Sequence, residues 1–354
     1  MTRLEECNMK VRLVCAELKN RGYDAIVIKR QPNFSWITSG GRGFIGLASE
    51  NACAAIVVTA ECTYLVSNNI ESARLLTEEL PEGFASPITL DWTADNTMDA
   101  FLEQKFGNIM DDIRMDNWFK TVRTNLNSNE IQRYRVLGKD VAEILETICL
   151  SLRPGLTEFE IAGRISSELW SRGIEPITLL VAADERSRNV RHYVPTSKQA
   201  NAGVIVSLCA RSCGLVVSAT RSVAFQKGFA QKYEELLNVE QAAFEATAEG
   251  GSLGDVVTKI MSAYKENGFP DEWKNHHQGG MTGYLAREIR ADAACRIAVG
   301  ANHAYAWNPS APGIKCEDTI IRLDNRLEII TPVSAMWPQL RKGEWIRPDV
   351  LKAF

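Results

Sequence analysis

The sequence predicts an α+β chain of two domains. A smaller α/β domain takes residues 1–124. A larger domain, with helices packed on a curved antiparallel sheet, takes residues 125–354. Three observations lead there. The length, 354 residues, suits two domains better than one. Helix-like and strand-like segments alternate over the first part of the chain. Beyond the polar stretch from Thr121 to Glu130, helices and strands come in groups instead.

In chain order, residues 8–22 carry apolar side chains at helical spacing and stop at Gly22. Residues 24–28 read as a strand. Gln31-Pro32-Asn33-Phe34 reads as the start of a loop that runs through Gly40, Gly41, Gly43 and Gly46. Strands at 53–59 and 64–66 and a helix over 70–80 complete the first domain. Past the junction, Ser128 is placed to cap a helix over 129–152 that Pro154-Gly155 stops. Thr157 and Glu160 fit a capping box for a helix over 157–172. Strands follow at 176–182, 203–208 and 214–224, then helices at 228–248 and 253–266, and the rest reads as strand and turn.

Composition narrows the function. The chain is 45% hydrophobic and 24% charged, as a soluble globular protein is, and its formal net charge of -4 gives no electrostatic footprint for nucleic acid. The N-terminus lacks the apolar core of a signal peptide, and the longest apolar runs, such as Ala52 to Ala60, are too short to cross a bilayer. A cytoplasmic protein with no membrane partner is expected. Nine cysteines without a C-x-x-C pair point to buried, reduced thiols and not to structural zinc.

The densest chemistry lies between Asn275 and Tyr284, where His276 and His277 precede Gly279 and Gly280. The other two histidines, His192 and His303, also fall in the C-terminal half. Histidine is the side chain most easily poised near neutral pH, and glycine lets backbone approach a ligand. On the residues alone, His276 and His303 are expected to be structural. Arg287 and Glu288 are expected to form an internal ion pair. Ser207 and Ser218 are too weakly acidic for nucleophilic work without a base, and are expected to fill space.

Four segments taken together resemble one family. They are Arg191-His192-Tyr193-Val194-Pro195-Thr196, the pair Val204–Ser207 and Gly214–Arg221, the His276–Gly280 run, and Gly313–Ile321. Their order and spacing resemble the M24 superfamily of methionine aminopeptidase, aminopeptidase P, prolidase and creatinase. The resemblance implies a creatinase-like N-terminal α/β domain followed by a pita-bread domain. It also implies that the five ligand positions of a two-metal centre fall on Ser207, Ser218, His277, Asn308 and Glu317. Two of the five keep a ligating side chain. Three lost carboxylates would leave paired cations uncompensated, so the expectation is no two-metal centre and no cofactor.

Creatinase offers a metal-free precedent. Its proton-shuttling histidine corresponds to His192, and a glutamate of its site to Glu317. Its other catalytic glutamate falls on Thr220, and the peptidases' second substrate histidine on Tyr284. The expected function is therefore a metal-independent, creatinase-like hydrolase. It would cleave a C–N bond in a small N-substituted amino acid, amide or guanidino compound. His192 would move the proton. Glu317 beside His277 would hold the imidazolium and raise its pKa. Arg221 or Arg42 would bind a substrate carboxylate, and Tyr284 would wall the site. The chain would work as a homodimer, with Arg42 and Phe44 of the glycine-rich loop reaching the partner subunit's site and Trp36 packed beneath. Two alternatives remain open. One is an inactive pita-bread binding module. The other is an Xaa-Pro-type metalloenzyme with atypical ligands such as Asp318 or Glu288.

Overall fold

A computed structural model describes residues 1–93, 98–324 and 326–354. Contacts divide the chain into two units, Met1–Arg123 and Thr124–Phe354. Each unit combines helices with sheets, as an α+β chain does.

The first unit opens with the helix Arg3–Arg21. Thr2 and Glu5 close a capping box at its start, and Gly22, at φ 70°, ends it in the left-handed region. A five-stranded sheet follows. Its central strand, Asn51–Thr59, pairs antiparallel with Ala25–Arg30 on one side and with Thr63–Asn68 on the other. Ala25, Val27, Ala55, Val57 and Val66 alternate onto one face and bury Leu102. The segment Gln31–Ile37, expected as a loop, is a buried helix with Pro32 in its first turn. Proline there loses no intrahelical hydrogen bond, so it starts a helix instead of breaking one. The region 70–80 is a short α-turn, Ser72–Arg74, running into a π-turn, Leu75–Glu79.

In the second unit the helix Ser128–Ser151 is capped by Asn127, one residue before the expected Ser128. Thr157 caps Glu158–Ser171 as the motif foretold. Three long strands, Glu175–Ala183, Gly203–Ser212 and Leu215–Ala224, form an antiparallel sheet, with Leu351–Lys352 added in parallel at its edge. The hairpin register sets Ser207 opposite Thr220 and Cys209 opposite Ser218. Every residue of Leu215–Ala224 is buried, because this strand is covered on both faces. A second sheet orders the strands Ile289–Arg290, Gly279–Thr282, His303–Trp307, Asp318–Arg322 and Leu327–Ile329. The helices Tyr233–Glu249 and Leu253–Glu266 bury Leu236, Phe244, Val256 and Ile260 with Tyr305, Trp307 and Ile320. All nine cysteines are free, and Cys213 is exposed where a buried thiol was expected. Among the described residues no helix is long and apolar enough to cross a membrane.

Candidate functional site

The hairpin, the histidine run and the chain entering Asp318–Arg322 meet around a cavity of about 180 Å³. His192, His276 and His277 line it, together with Asn308, Lys315 and Glu317. Two turns bring the histidines there. His192 is exposed in the segment between the strands Glu175–Ala183 and Gly203–Ser212. His276 and His277 are consecutive, and in an extended strand they would point apart. They sit instead in the bend between the single turn Glu272–Lys274 and the strand Gly279–Thr282. Their rings stack with centroids 4.4 Å apart. Gly279 and Gly280, at φ 111° and 146°, hold that bend, and a Cβ on either would run into backbone, the carbonyl of Ala306 or of Ile289.

His192 and His276 meet through their Nε2 atoms, 3.2 Å apart. The Nδ1 atoms of His276 and His277 are buried without a partner. Burial, reinforced by Lys315, drops the His276 imidazole to about 3. Burial and the Arg287 guanidinium drop His277 to about 4. Both rings are therefore neutral at pH 7. His276, expected to be structural, lines the cavity beside His192 and His277, and at His277 burial and Arg287 outweigh the upward pull of Glu317.

Glu317 has other partners. Its Oε2 lies 3.0 Å from Lys315 Nζ and its Oε1 2.6 Å from Arg287 Nη2. Burial alone would raise this carboxyl, but Lys315 and then Arg287 outweigh it and hold it down near 2. Lys315 also donates to Ser207 Oγ at 2.8 Å, and Arg287 Nη1 reaches Ser218 Oγ at 3.4 Å. Ser207 further bonds Thr220 Oγ1 at 2.7 Å, and Ser218 meets Cys209 Sγ at 3.2 Å. Arg287 thus pairs with Glu317, not with Glu288, whose Oε1 accepts the backbone N–H of Tyr284 and Leu285. Asn308 is buried, its Oδ1 without a partner.

Arg221 and Tyr284, expected at the site, do not line the cavity. Arg221 is sealed in the core, 2.7 Å from Glu146 and 3.1 Å from Asp318, so it cannot hold a substrate carboxylate. Its neighbour Thr220 faces Ser207, and strand alternation turns Arg221 the other way. Tyr284 is buried too, its hydroxyl donating to Glu130 Oε1 at 2.6 Å, so it is no wall of the cavity. His303 is held by Ala301 O at 2.9 Å. In the first unit, Arg42 pairs with Glu79 at 2.9 Å, Phe44 is half-buried, and Trp36 packs edge-on against Phe119. Lys315 was the residue missed. Its signal was its place two before Glu317 in extended chain, which puts both side chains on one face.

Of the five positions assigned by the resemblance, His277 and Glu317 keep a ligating side chain. Ser207, Ser218 and Asn308 bring no charge, and the one carboxylate is taken by Lys315 and Arg287. The described residues also contain one group of three histidines, His192, His276 and His277, with ring nitrogens all within 4.8 Å of one another.

The family model described as metallopeptidase family M24 matches residues 132–321. No curated protein sequence matches the chain. Solved structures share the fold. The prolidase from Pyrococcus horikoshii OT3 superposes with a TM-score of 0.78 at 18% identity, over 92% of this chain and 99% of that one. The Xaa-Pro dipeptidase from Bacillus anthracis gives 0.74 at 14% identity, over 98% and 99%. The X-Pro aminopeptidase from Thermotoga maritima MSB8 gives 0.74 at 15% identity, over 97% and 99%. The expectation that no metal belongs here is overturned by the family itself, which is one of metallopeptidases. The chain is a hydrolase that belongs to metallopeptidase family M24.

Proposed function

We propose that the chain cleaves a C–N bond in a small substrate bearing a carboxylate, of the Xaa-Pro dipeptide class, in the cavity beside the three histidines. One observation carries this reading. Two cations, Lys315 and Arg287, share the single carboxylate of Glu317 at the floor of the cavity. That leaves an excess of positive charge facing a small space. A bound carboxylate, or the oxyanion that forms as water adds to a carbonyl, offsets this excess. The structural likeness to proteins titled prolidase and Xaa-Pro dipeptidase favours a dipeptide over a guanidino compound.

The chain's own groups have clear parts in such a reaction. Asn308 Oδ1, buried and unpaired, accepts from the substrate's amino end. His192, the exposed one of the three histidines, takes the proton of the attacking water. The same ring, hydrogen-bonded to His276, then gives that proton to the departing nitrogen. The C–N bond then breaks to give an acid and an amine. The resemblance to creatinase-type dimers extends the reading to a homodimer, with Arg42 and Phe44 at the partner subunit's pocket. Light scattering that shows a monomer under turnover conditions would remove that extension.

The test is a panel of Xaa-Pro dipeptides, other dipeptides, small amides and guanidino acids, assayed with and without added divalent metals. Release of proline from Xaa-Pro substrates, lost on amidation of their C-terminal carboxyl, is the expected result. Turnover of creatine-like substrates alone would overturn the assignment.

A further inference from the structure

We infer that His192, His276 and His277 bind one divalent ion of the zinc, cobalt, nickel or copper class, at a site distinct from the five positions that the family resemblance points to. Only His277 is common to the two sets. The geometry is the first argument. Two imidazole nitrogens on one tetrahedral zinc lie about 3.3 Å apart, given bonds near 2.0–2.1 Å. His192 Nε2 and His276 Nε2 are already 3.2 Å apart. A nitrogen of His277 lies within 4.8 Å of both, so a small ring rotation closes the third side. Nδ1 of His276 and of His277 has no hydrogen-bond partner, so no hydrogen bond at those atoms opposes the rotation.

The second argument is chemical. Two imidazole nitrogens facing each other need something positive between them, either one shared proton or a metal ion. A third imidazole beside them has no role in the shared-proton arrangement but completes a three-coordinate base for an ion. A set of three nitrogens and no oxygen selects borderline metals over magnesium or calcium. It also leaves a fourth position open towards the cavity, as catalytic zinc sites do.

Charge sets the terms of binding. Three neutral ligands leave the ion's charge intact, and Lys315 and Arg287 stand close by with Glu317 between them. The fourth ligand is therefore an anion, hydroxide or a carboxylate. Affinity rises when a small carboxylate is present and stays below that of sites with carboxylate ligands. The inference does not rest on the substrate reading above: it is measured as ion binding with no substrate, and with the ion bound His192 is a ligand and no longer moves a proton.

The experiment uses the whole chain, dialysed against chelator. Zinc is titrated by calorimetry, and cobalt(II) is followed by its visible absorption. One ion per chain is expected, with the strong absorption of a four-coordinate nitrogen site, and binding tightens when acetate is added. His276→Gln weakens zinc about tenfold or more, and so does His192→Ala, whose exposed side chain can be lost without harm to folding. Glu317→Gln retains the ion. Two ions per chain, loss of the ion in Glu317→Gln with retention in His276→Gln, or no binding of zinc, cobalt or copper would each overturn the site.

Discussion

Glu317 and Asp318 are adjacent in the chain and both are buried, yet they serve opposite purposes. Asp318 lies 3.1 Å from Arg221 and 2.6 Å from Arg347, and those arginines reach Glu146 and Glu240 in turn, each at 2.7 Å. That cluster is closed: two cations face three carboxylates, with Thr331 Oγ1 donating to Asp318 at 2.6 Å. The cluster around Glu317 is open: two cations face one carboxylate, and the remaining side is the cavity with its histidines. Extended backbone sends consecutive side chains to opposite faces, so one step along the chain separates a structural knot from a reactive one. The comparison teaches that burial and ion pairing alone do not mark a site. Charge left uncompensated toward an opening does.

The sharpest way to break this contrast is Asp318→Ala. It removes the acceptor that two buried guanidinium groups share, leaving each with one carboxylate, and should lower unfolding free energy by about 3–5 kcal/mol in a urea titration. A loss under about 1 kcal/mol would show the closed cluster to be replaceable. His192→Ala should do the reverse, cutting turnover about a hundredfold or more while leaving stability within about 0.5 kcal/mol. Undiminished turnover in that variant would take His192 out of the reaction. Glu317→Gln should sit between them, with a stability loss of about 1–3 kcal/mol, since Lys315 and Arg287 keep an acceptor and a side open to the cavity. A loss equal to that of Asp318→Ala would erase the distinction.

The smallest expected effect is in pH dependence. Burial raises Glu240 from 4.5 to about 7 despite Arg347, and its Oε1 has no partner. The folded chain therefore holds this proton more tightly than the unfolded one. Its stabilising effect is full below about pH 4.5 and fades as pH climbs toward 7. Glu317 behaves inversely: lowered from 4.5 to about 2, it stabilises above pH 4.5 and that contribution is lost as pH falls toward 2. Glu240→Gln should flatten the decline in stability between pH 5 and 8, and Glu317→Gln should flatten the acid limb. An unchanged slope in Glu240→Gln would place that proton elsewhere.

Much of this was legible in the chain. Thr157 with Glu160 marked a helix start because a capping box is a local device. His192 and His277 stood out because histidine is so sparse here. What stayed hidden depended on partners far apart in sequence. Arg221 sits in a motif beside site residues, and only the sheet register shows that it faces the core. Lys315 looks like any strand lysine until Glu317 and Ser207 come within reach of its ammonium. Pro32 misled because proline breaks a helix in its interior but suits its first turn, and a sequence does not say which turn it occupies.

One consequence of the paired glycines concerns redesign. Since a side chain on Gly279 or Gly280 would press against neighbouring carbonyls, the bend that carries the two imidazoles admits no other amino acid at either place. A laboratory seeking new specificity should leave this hinge untouched and diversify Thr178, Leu180 and Ala286, which border the same space without steering the rings.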